Sequence, residues 1–204
     1  MRLTDIPSCF VTGTGTGVGK TWFTVQLLTA LRSSGIDAVG FKPIVCGDDS
    51  DAVALAAASD HVIPVEEINP VWLRTPASPF TACQVEGRTV DIPFILEKFT
   101  ALQSRFPRVI VEGAGGWRVP IRRDYFISDL AAEFALPILL VIHNKLGALN
   151  EALLTIEAIR RDGLPFLGYH LNEITLPTDI AEITNAAILE DILGPALSIP
   201  SPTK

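Results

Sequence analysis

Residues 13–21 read GTGTGVGKT, a glycine-rich stretch that ends in Gly-Lys-Thr. It lies between a short apolar run, residues 9–11, and a segment with helical apolar spacing, residues 20–35. Glycines in such a turn let successive backbone N–H groups converge on phosphate oxygens, and the following helix directs its N-terminal dipole at the same anion. The stretch therefore predicts a phosphate-binding loop, in which Lys20 reaches the terminal phosphates and the Thr21 hydroxyl ligates Mg²⁺.

The spacing of this loop differs from the strict nucleotide-binding motif. Five residues separate Gly13 from Gly19, whereas the strict motif has four. One alternative is a purely structural glycine turn, and another is a dinucleotide-binding turn. The second leaves Gly-Lys-Thr unexplained, and the second predicted strand ends in Phe41-Lys42-Pro43 instead of the acidic residue that dinucleotide binding requires. The phosphate loop is the favoured interpretation.

The composition is typical of one well-packed domain, since 48% of the 204 residues are hydrophobic and 19% are charged. A net charge of -7 argues against general nucleic-acid binding, because phosphodiester backbones repel an acidic protein. The cysteines, Cys9, Cys46 and Cys83, are far apart and odd in number, which predicts no disulfide framework and no zinc site. No apolar run is long enough to cross a membrane. We expect a soluble cytoplasmic protein with neither a nucleic-acid nor a membrane partner.

Continuously apolar runs alternate with amphipathic segments, which predicts a single α/β domain over residues 1–204 with a doubly wound, mainly parallel sheet and helices on both faces. The predicted strands are 9–11, 37–41, 108–116, 137–142, 165–172 and an edge strand at 196–199. The predicted helices are 20–35, 49–60, 91–106, 127–135, 147–163 and 178–193. Residues 61–90 are rich in proline and have no clear periodicity. Ligands in such folds bind at the carboxyl ends of the strands.

Charged residues stand at these strand ends. Lys42 follows the second predicted strand. Glu112 ends the hydrophobic part of the segment 108–116, where a carboxylate is costly unless a metal ion or a lysine at the same sheet edge is its partner. A carboxylate from Asp48, Asp49 or Asp51 could complete a Mg²⁺ site, and the residues alone leave the choice among the three open. On position alone, Lys42 could also be a solvated lysine and the aspartates could merely cap a helix.

The remaining polar candidates are weaker. The amide of Asn172 both donates and accepts, so it could read an adenine edge, although a lone asparagine at a strand end is more often structural. The histidines are scattered without metal-ligand spacing, and none is assigned a catalytic role. His170 lies in an apolar strand and is predicted to be a packed core histidine.

Five motifs occur in one order along the chain: VTGTGTGVGKT, GFKPIVCG followed by SDA, VEGAGGW, NKLGALNEALLT and LNEI. With them the chain resembles the dethiobiotin synthetases over about residues 9–200, and members of that family have the same five-residue gap in the loop. The resemblance implies a P-loop NTPase-type sheet of about seven strands and a homodimer. It also implies ATP- and Mg²⁺-dependent conversion of 7,8-diaminononanoate and CO₂ to dethiobiotin, ADP and phosphate, through a carbamate and a carbamic-phosphoric anhydride.

The resemblance also implies roles for individual residues. Lys20 and Lys42 are the implied catalytic residues, and Thr21, Asp51 and Glu112 the implied Mg²⁺ ligands. The implied nucleotide-binding residues are Gly17, Val18, Gly19, Lys20, Thr21, Trp22, Asp51, Glu112, Gly113, Ala114, Gly115, Asn172 and Pro200. The implied substrate-binding residues are Thr16, Cys46, Gly147 and Asn150, the last two receiving the substrate carboxylate from the neighbouring subunit.

The chain departs from the family pattern in three places. Cys46 stands where the family usually has a serine, and a thiol is a weaker hydrogen-bond partner, so we expect a weaker or shifted substrate contact. Gly15 and Gly17 stand where many relatives have an acidic residue at one or both positions. We therefore expect the loop to bind its ligands more through backbone groups than through side chains. The sequence ends soon after Pro200, so we expect weaker nucleotide affinity or base selectivity.

Two other P-loop classes fit this sequence less well. Partition-type ATPases usually carry an extra lysine early in the loop, where this chain reads VTGTGTG. Amidating synthases of the cobyrinate type are usually fused to a glutaminase domain, for which a chain that ends at residue 204 offers no room. A degenerate nucleotide-binding module would not be expected to keep Lys20, Thr21, Lys42 and Glu112. The synthetase is therefore the favoured hypothesis.

Overall fold

The computed structural model describes residues 5–173 and 179–198. The strands are β1 (Cys9–Gly13), β2 (Ala38–Phe41), β3 (Ile44–Cys46), β4 (Val71–Leu73), β5 (Arg108–Gly116), β6 (Pro120–Arg122), β7 (Tyr125–Phe126), β8 (Ile138–His143) and β9 (Phe166–Asn172). The helices are α1 (Lys20–Ser33), α2 (Ser50–Ala58), α3 (Val65–Ile68), α4 (Pro79–Glu86), α5 (Ile92–Arg105), α6 (Ile127–Phe134), α7 (Ala148–Arg161) and α8 (Ile180–Leu193).

The central sheet has five parallel strands in the order β2-β5-β1-β8-β9, which confirms the predicted α/β class. Its central strand β1 pairs on one side with β5, where Phe10 is opposite Val111, and on the other with β8, where Phe10 is opposite Ile138. Because all five strands are parallel, their carboxyl ends meet at one edge of the sheet. The phosphate loop, Lys42, Glu112 and Asn172 all stand at that edge.

The expectation of about seven strands was wrong for the described residues. Strands β3 and β4 pair in parallel with each other as a separate sheet, and β6 and β7 form an antiparallel ribbon. Pro43 separates β2 from β3, and a proline has no N–H for a ladder. Residues 196–198 do not form the predicted edge strand, although the Leu197 amide donates to the Tyr169 carbonyl at 2.7 Å. Residue 199 lies outside the described residues.

Local sequence signals explain where the helices begin. Gly19 takes a left-handed conformation, with φ of 89°, and connects the phosphate loop to the start of α1. The Asp91 side chain accepts from the Phe94 amide at the start of α5, and Asp179 and Glu182 form a capping box at α8. Elements α3, β4 and α4 lie in residues 61–90, where the sequence was uninformative because each element is too short to show a period.

The core consists of the buried strands and the helix faces packed on them. Phe41, Phe99 and Phe134 are in edge-to-face or tilted contact, with ring centroids between 4.6 and 6.2 Å apart. His170 is only partly buried, so the prediction that it is packed in the core is confirmed only in part. None of the helices in the two described ranges has both the length and the apolar character that crossing a bilayer would require.

Candidate active site

The phosphate loop joins β1 to α1 and is open towards the carboxyl edge of the sheet. Gly17 and Gly19 both have positive φ, 75° and 89°, a region in which other residues are strained. Lys20 is 7% exposed, and its ammonium donates back across the loop to the Gly15 carbonyl at 2.9 Å. Burial, and then the charge of Lys42, lowers the pKa of Lys20 to about 8. A loop with this geometry can enclose an anion. An anion bound there would stabilise the buried positive charge of Lys20.

Three oxygens converge beside the loop, from α1, α2 and β5. The Thr21 hydroxyl oxygen lies 2.7 Å from both Asp51 Oδ1 and Glu112 Oε1. A hydroxyl has one hydrogen, so it can donate to only one carboxylate at a time. The second carboxylate therefore needs a cation nearby. In this structure Lys42 supplies it, because its ammonium donates to Asp51 Oδ2 at 2.7 Å and to Glu112 Oε1.

Two charged side chains of this cluster, those of Lys42 and Glu112, are shielded from water. Glu112 is fully buried and Lys42 is 4% exposed. Burial lowers the pKa of Lys42, but the charges of Glu112 and Asp51 outweigh it and raise the pKa above that of an ordinary lysine. Burial raises the pKa of Asp51, but Lys42 outweighs it and the pKa falls below that of an ordinary aspartate. Lys42 and Asp51 are therefore both ionised at neutral pH.

The donor set fits a hard divalent cation. Within residues 5–173 and 179–198, no group of three or more His, Cys, Asp and Glu side chains is placed to hold a metal ion. Mg²⁺ commonly takes only one or two carboxylates, with phosphates and waters completing its shell, so Asp51, Glu112 and the Thr21 hydroxyl are enough. In addition, Glu112 Oε2 is buried and has no hydrogen-bond partner among the described residues. A bound cation would compensate for the cost of burying that oxygen without a partner.

The structure distinguishes Asp51 from its two neighbours. Asp48 Oδ1 accepts from the Ser50 amide at 2.9 Å, a local turn contact, and Asp49 stands at the N-cap position of α2. Asp51 lies in the first turn of α2, and its carboxylate is the one that contacts Lys42 and Thr21. The sequence could not separate these aspartates, because the choice depends on how α2 is oriented against α1.

A cavity of about 690 Å³ opens above this cluster and is called the reaction cavity below. It brings together these predicted site residues: Thr16, Gly17, Gly19, Lys20, Thr21, Lys42, Cys46, Asp51, Glu112, Ala114 and Gly115. The rest of its lining was not predicted from the sequence and is formed by Ile44, Val45, Pro76, Ala77, Ser78, Pro79 and Val119. The Ser78-Pro79 pair is a typical helix start, with Ser78 capping α4 and Pro79 at its first position. That signal predicts a helix but not a cavity wall.

Other predicted residues lie outside the lining of the reaction cavity. The Asn172 amide donates to the Val18 carbonyl at 3.0 Å, so it braces the phosphate loop from the side of β9. Gly147 and Asn150 are exposed at the start of α7. Trp22 and Gly113 are also outside the lining, and Pro200 lies outside the described residues. The site within one chain is therefore a phosphate loop with a reaction cavity on one side.

Known proteins resemble this chain in sequence along most of its length. A family model described as an AAA domain matches residues 8–194. The chain is 46% identical to an ATP-dependent dethiobiotin synthetase from Akkermansia muciniphila over 181 residues, covering 89% of this chain and 85% of that protein. The proteins of the same name from Anaeromyxobacter dehalogenans (strain 2CP-C) and Aliivibrio fischeri are 44% and 38% identical, covering 87% and 91% of this chain and 82% and 85% of theirs.

Solved structures support the fold. A ParA family ATPase from Chlorobium tepidum superposes with a TM-score of 0.58 at 14% identity, covering 98% of this chain and 86% of that one. The cell division ATPase MinD from Pyrococcus furiosus gives 0.54 at 17% identity, covering 88% and 79%. At such identities the likeness concerns the P-loop fold alone. The relatives found by sequence share one name and are 38–46% identical over most of both chains. The chain therefore belongs to the ATP-dependent dethiobiotin synthetase family, whose members are enzymes of the ligase class.

Proposed function

We propose that this chain uses ATP and Mg²⁺ to join CO₂ to 7,8-diaminononanoate and close the ureido ring of dethiobiotin, a step of biotin synthesis. The observation that carries the proposal is the position of two buried lysines in one cavity. Lys20 and Lys42 both line the reaction cavity, which also contains Asp51 and Glu112. A reaction that brings a carbamate up to a triphosphate must hold two anions together, and two lysines in one cavity supply the positive charge that such a pair of anions needs.

The chemistry proceeds in three steps. One amine of the substrate attacks CO₂ and loses a proton, giving a carbamate. A carbamate oxygen then attacks the γ-phosphorus, ADP leaves, and a carbamic-phosphoric anhydride forms. The second amine attacks the carbonyl carbon of this anhydride, loses a proton and expels phosphate. The protein contributes mainly positioning and charge neutralisation, as is general for phosphoryl transfer.

Lys20 and Lys42 are the proposed catalytic residues. Lys20 stands at the start of α1 and would bind the β- and γ-phosphates together with the carbamate. Lys42 would stabilise the carbamate and the charge that develops during transfer. Its contacts with Asp51 and Glu112 keep its ammonium protonated and inside the cavity in the absence of ligands. The metal would be held by Thr21, Asp51 and Glu112, and its chemistry is to neutralise phosphate charge.

Substrate and nucleotide contacts complete the proposal. Thr16 and Cys46 line the reaction cavity and are proposed to contact the substrate. The nucleotide is proposed to lie along Gly17–Trp22 and Glu112–Gly115, with Asn172 and Pro200 on the base side. Asn172 already has one N–H engaged by Val18, which leaves its second N–H and its carbonyl oxygen for a base.

We also infer a homodimer in which Gly147 and Asn150 serve the site of the neighbouring subunit. The start of α7 is exposed, and a helix N-terminus is a favourable place for the substrate carboxylate. Large apolar side chains are exposed on the same part of the molecule: Leu146 at 77%, Ile180 at 75% and Ile183 at 64%. Such side chains support an interface between subunits. A cytoplasmic location is part of the proposal and is supported by the free thiols of Cys9, Cys46 and Cys83.

The test is the release of phosphate from Mg-ATP with and without diaminononanoate and bicarbonate. We expect release only when both are present, with dethiobiotin formed in equal amount. Lys98→Met on α5, which removes a lysine remote from the cavity lining, is the matched control for charge and should keep full activity. Phosphate release that ignores the diamine would overturn the synthetase proposal.

A further inference from the structure

Trp22 is a large aromatic side chain exposed at the start of a phosphate-binding helix. It follows Thr21 in the first turn of α1 and is 49% exposed. The other two tryptophans have clear structural partners. Trp117 is 3% exposed and donates to Asp162 at 2.8 Å, and Trp72 donates to the Gly47 carbonyl at 2.8 Å with Arg74 over its ring. The exposed half of the Trp22 indole is a large apolar surface that a ligand packed against it would remove from water.

Trp22 faces away from the reaction cavity, towards β9. Its ring lies beside that of His170, with centroids 6.0 Å apart and planes 26° from parallel. His170 and Asn172 are two residues apart in β9 and therefore point to the same face of the sheet. Asn172 contacts Val18 of the phosphate loop. Trp22, His170 and Asn172 thus form a wall on the β9 side of the loop.

The order of the strands fixes which end of a triphosphate reaches this wall. Lys42 follows β2 and Glu112 lies in β5, and both strands are on one side of β1. Strand β9 is at the opposite edge, beyond β8. If the γ-phosphate is directed at Lys42 and Glu112, the nucleoside must extend over the first turn of α1 in the other direction. That direction leads to Trp22.

The partner ring is held in place. His170 Nδ1 donates to the Leu197 carbonyl at 3.0 Å, and the ring lies 4.7 Å, centroid to centroid, from Phe23. Burial lowers the pKa of His170, and the bond to Leu197 only partly offsets this, so the ring is neutral at pH 7. A fixed, uncharged aromatic ring behind Trp22 limits the orientations of the indole and leaves its outer surface to solvent.

We propose that Trp22 is a nucleobase-stacking residue, whose exposed indole packs against the base of the nucleoside triphosphate. This inference rests on the proposed function, because it needs ATP at the phosphate loop. Every base has a π-face, so stacking adds affinity without reading a base edge. Trp22 would then complement Asn172, which has hydrogen-bonding groups but little surface.

The test compares ligands with and without a base. Trp22→Val, Trp22→Phe and the unaltered protein are titrated calorimetrically with Mg-ATP and with magnesium tripolyphosphate. We expect Trp22→Val to raise the Kd for Mg-ATP about tenfold, the usual size of one base–aromatic contact, and to leave the Kd for tripolyphosphate unchanged. Trp22→Phe should keep most of the affinity. In the unaltered protein, ATP should quench tryptophan fluorescence more than tripolyphosphate does, and Trp22→Val should abolish that difference.

The outcomes separate this inference from the proposed function. If Trp22→Val raises the Kd for Mg-ATP and for tripolyphosphate equally, Trp22 acts on the binding of the phosphates. If the Kd for Mg-ATP is unchanged, Trp22 does not contact the base. Either result overturns the inference while leaving an ATP site in place. An unaltered protein that binds neither ligand would overturn the proposed function and this inference together.

Discussion

The ammonium of Lys42 lies between the carboxylates of Asp51 and Glu112, 2.7 Å from Asp51 Oδ2 and in direct contact with Glu112 Oε1. Both carboxylates also contact the Thr21 hydroxyl. Lys42 therefore places a positive charge between two carboxylates. The same residue is the proposed stabiliser of the carbamate, so it would have a second role in the reaction besides the ion pair.

Lys42→Met should separate these two roles. Methionine keeps the length of the side chain but leaves the buried carboxylate of Glu112 without its ammonium partner, so we expect the free energy of unfolding to fall by about 3 kcal/mol. Turnover should fall by about 10²-fold or more, while ATP binding changes little. Urea unfolding, calorimetric titration with ATP and the phosphate-release assay measure the three effects.

A double variant provides the control for stability. In Lys42→Met/Glu112→Gln the buried charge is gone, so part of the lost stability should return although activity does not. If Lys42→Met unfolds at the same urea concentration as the unaltered protein, the ion pair contributes nothing to the fold. If it turns over normally, Lys42 is not a catalytic residue.

Gly19→Ala and Gly17→Ala form a matched pair within the phosphate loop. Both glycines have positive φ, so each substitution should cost about 1 kcal/mol of conformational strain. A Cβ on Gly17 would meet nothing within 4 Å, whereas one on Gly19 would lie 2.0 Å from Asn172 Nδ2. We expect Gly19→Ala to weaken ATP binding far more than Gly17→Ala, because Asn172 must leave the Val18 carbonyl.

The contribution of Asn172 to this effect can be measured directly. Adding Asn172→Ala to Gly19→Ala removes the clash, so the double variant should bind magnesium tripolyphosphate, which lacks the base that Asn172 is proposed to contact, better than Gly19→Ala alone. Calorimetric Kd values for the three variants and thermal denaturation give the comparison. Equal ATP affinities of Gly17→Ala and Gly19→Ala would contradict the contact between loop and strand.

The sequence was sufficient for the parts of the fold that repeat regularly. The apolar runs of β1, β5 and β8 and the periodic faces of α5 and α7 predicted a parallel sheet with helices, and the helix and strand boundaries moved by only a few residues. Lys42 and Glu112 were predicted to be site residues because a charge directly after an apolar strand must lie at the ligand edge. A lysine at the same sheet edge was one expected partner of Glu112 and a metal ion the other, and the contact with Lys42 depends on the pairing of β2 with β5.

The sequence was insufficient where position depends on packing between distant segments. The wall of the reaction cavity at Pro76–Pro79 is placed by the pairing of β3 with β4, two strands of three residues each, which have no detectable period. The count of about seven strands came from the resemblance, and the described residues give five in the main sheet. The orientation of Trp22 towards His170 joins residues 148 positions apart, and no local pattern encodes it.

Cys46→Ser is expected to improve substrate binding. Cys46 lies at the end of β3 in the lining of the reaction cavity, and burial raises its pKa to about 11, so it is a neutral thiol at working pH. A hydroxyl donates a stronger hydrogen bond than a thiol, so the KM for diaminononanoate should fall severalfold with kcat nearly unchanged. Steady-state kinetics at saturating ATP measures both constants. An unchanged KM would mean that Cys46 does not contact the substrate.

His170→Phe should make the protein less sensitive to acid. Burial depresses the pKa of His170 in the folded state, so as the pH falls below about 6.5 the unfolded chain takes up this proton first. The unaltered protein therefore loses stability between pH 6.5 and the lower folded-state pKa, and phenylalanine removes that loss while keeping an aromatic ring beside Trp22. The lost bond to Leu197 lowers stability equally at every pH. Urea unfolding of both proteins from pH 8 to pH 5 should give curves that converge towards low pH, and parallel curves would show that His170 titrates alike in the folded and unfolded chains.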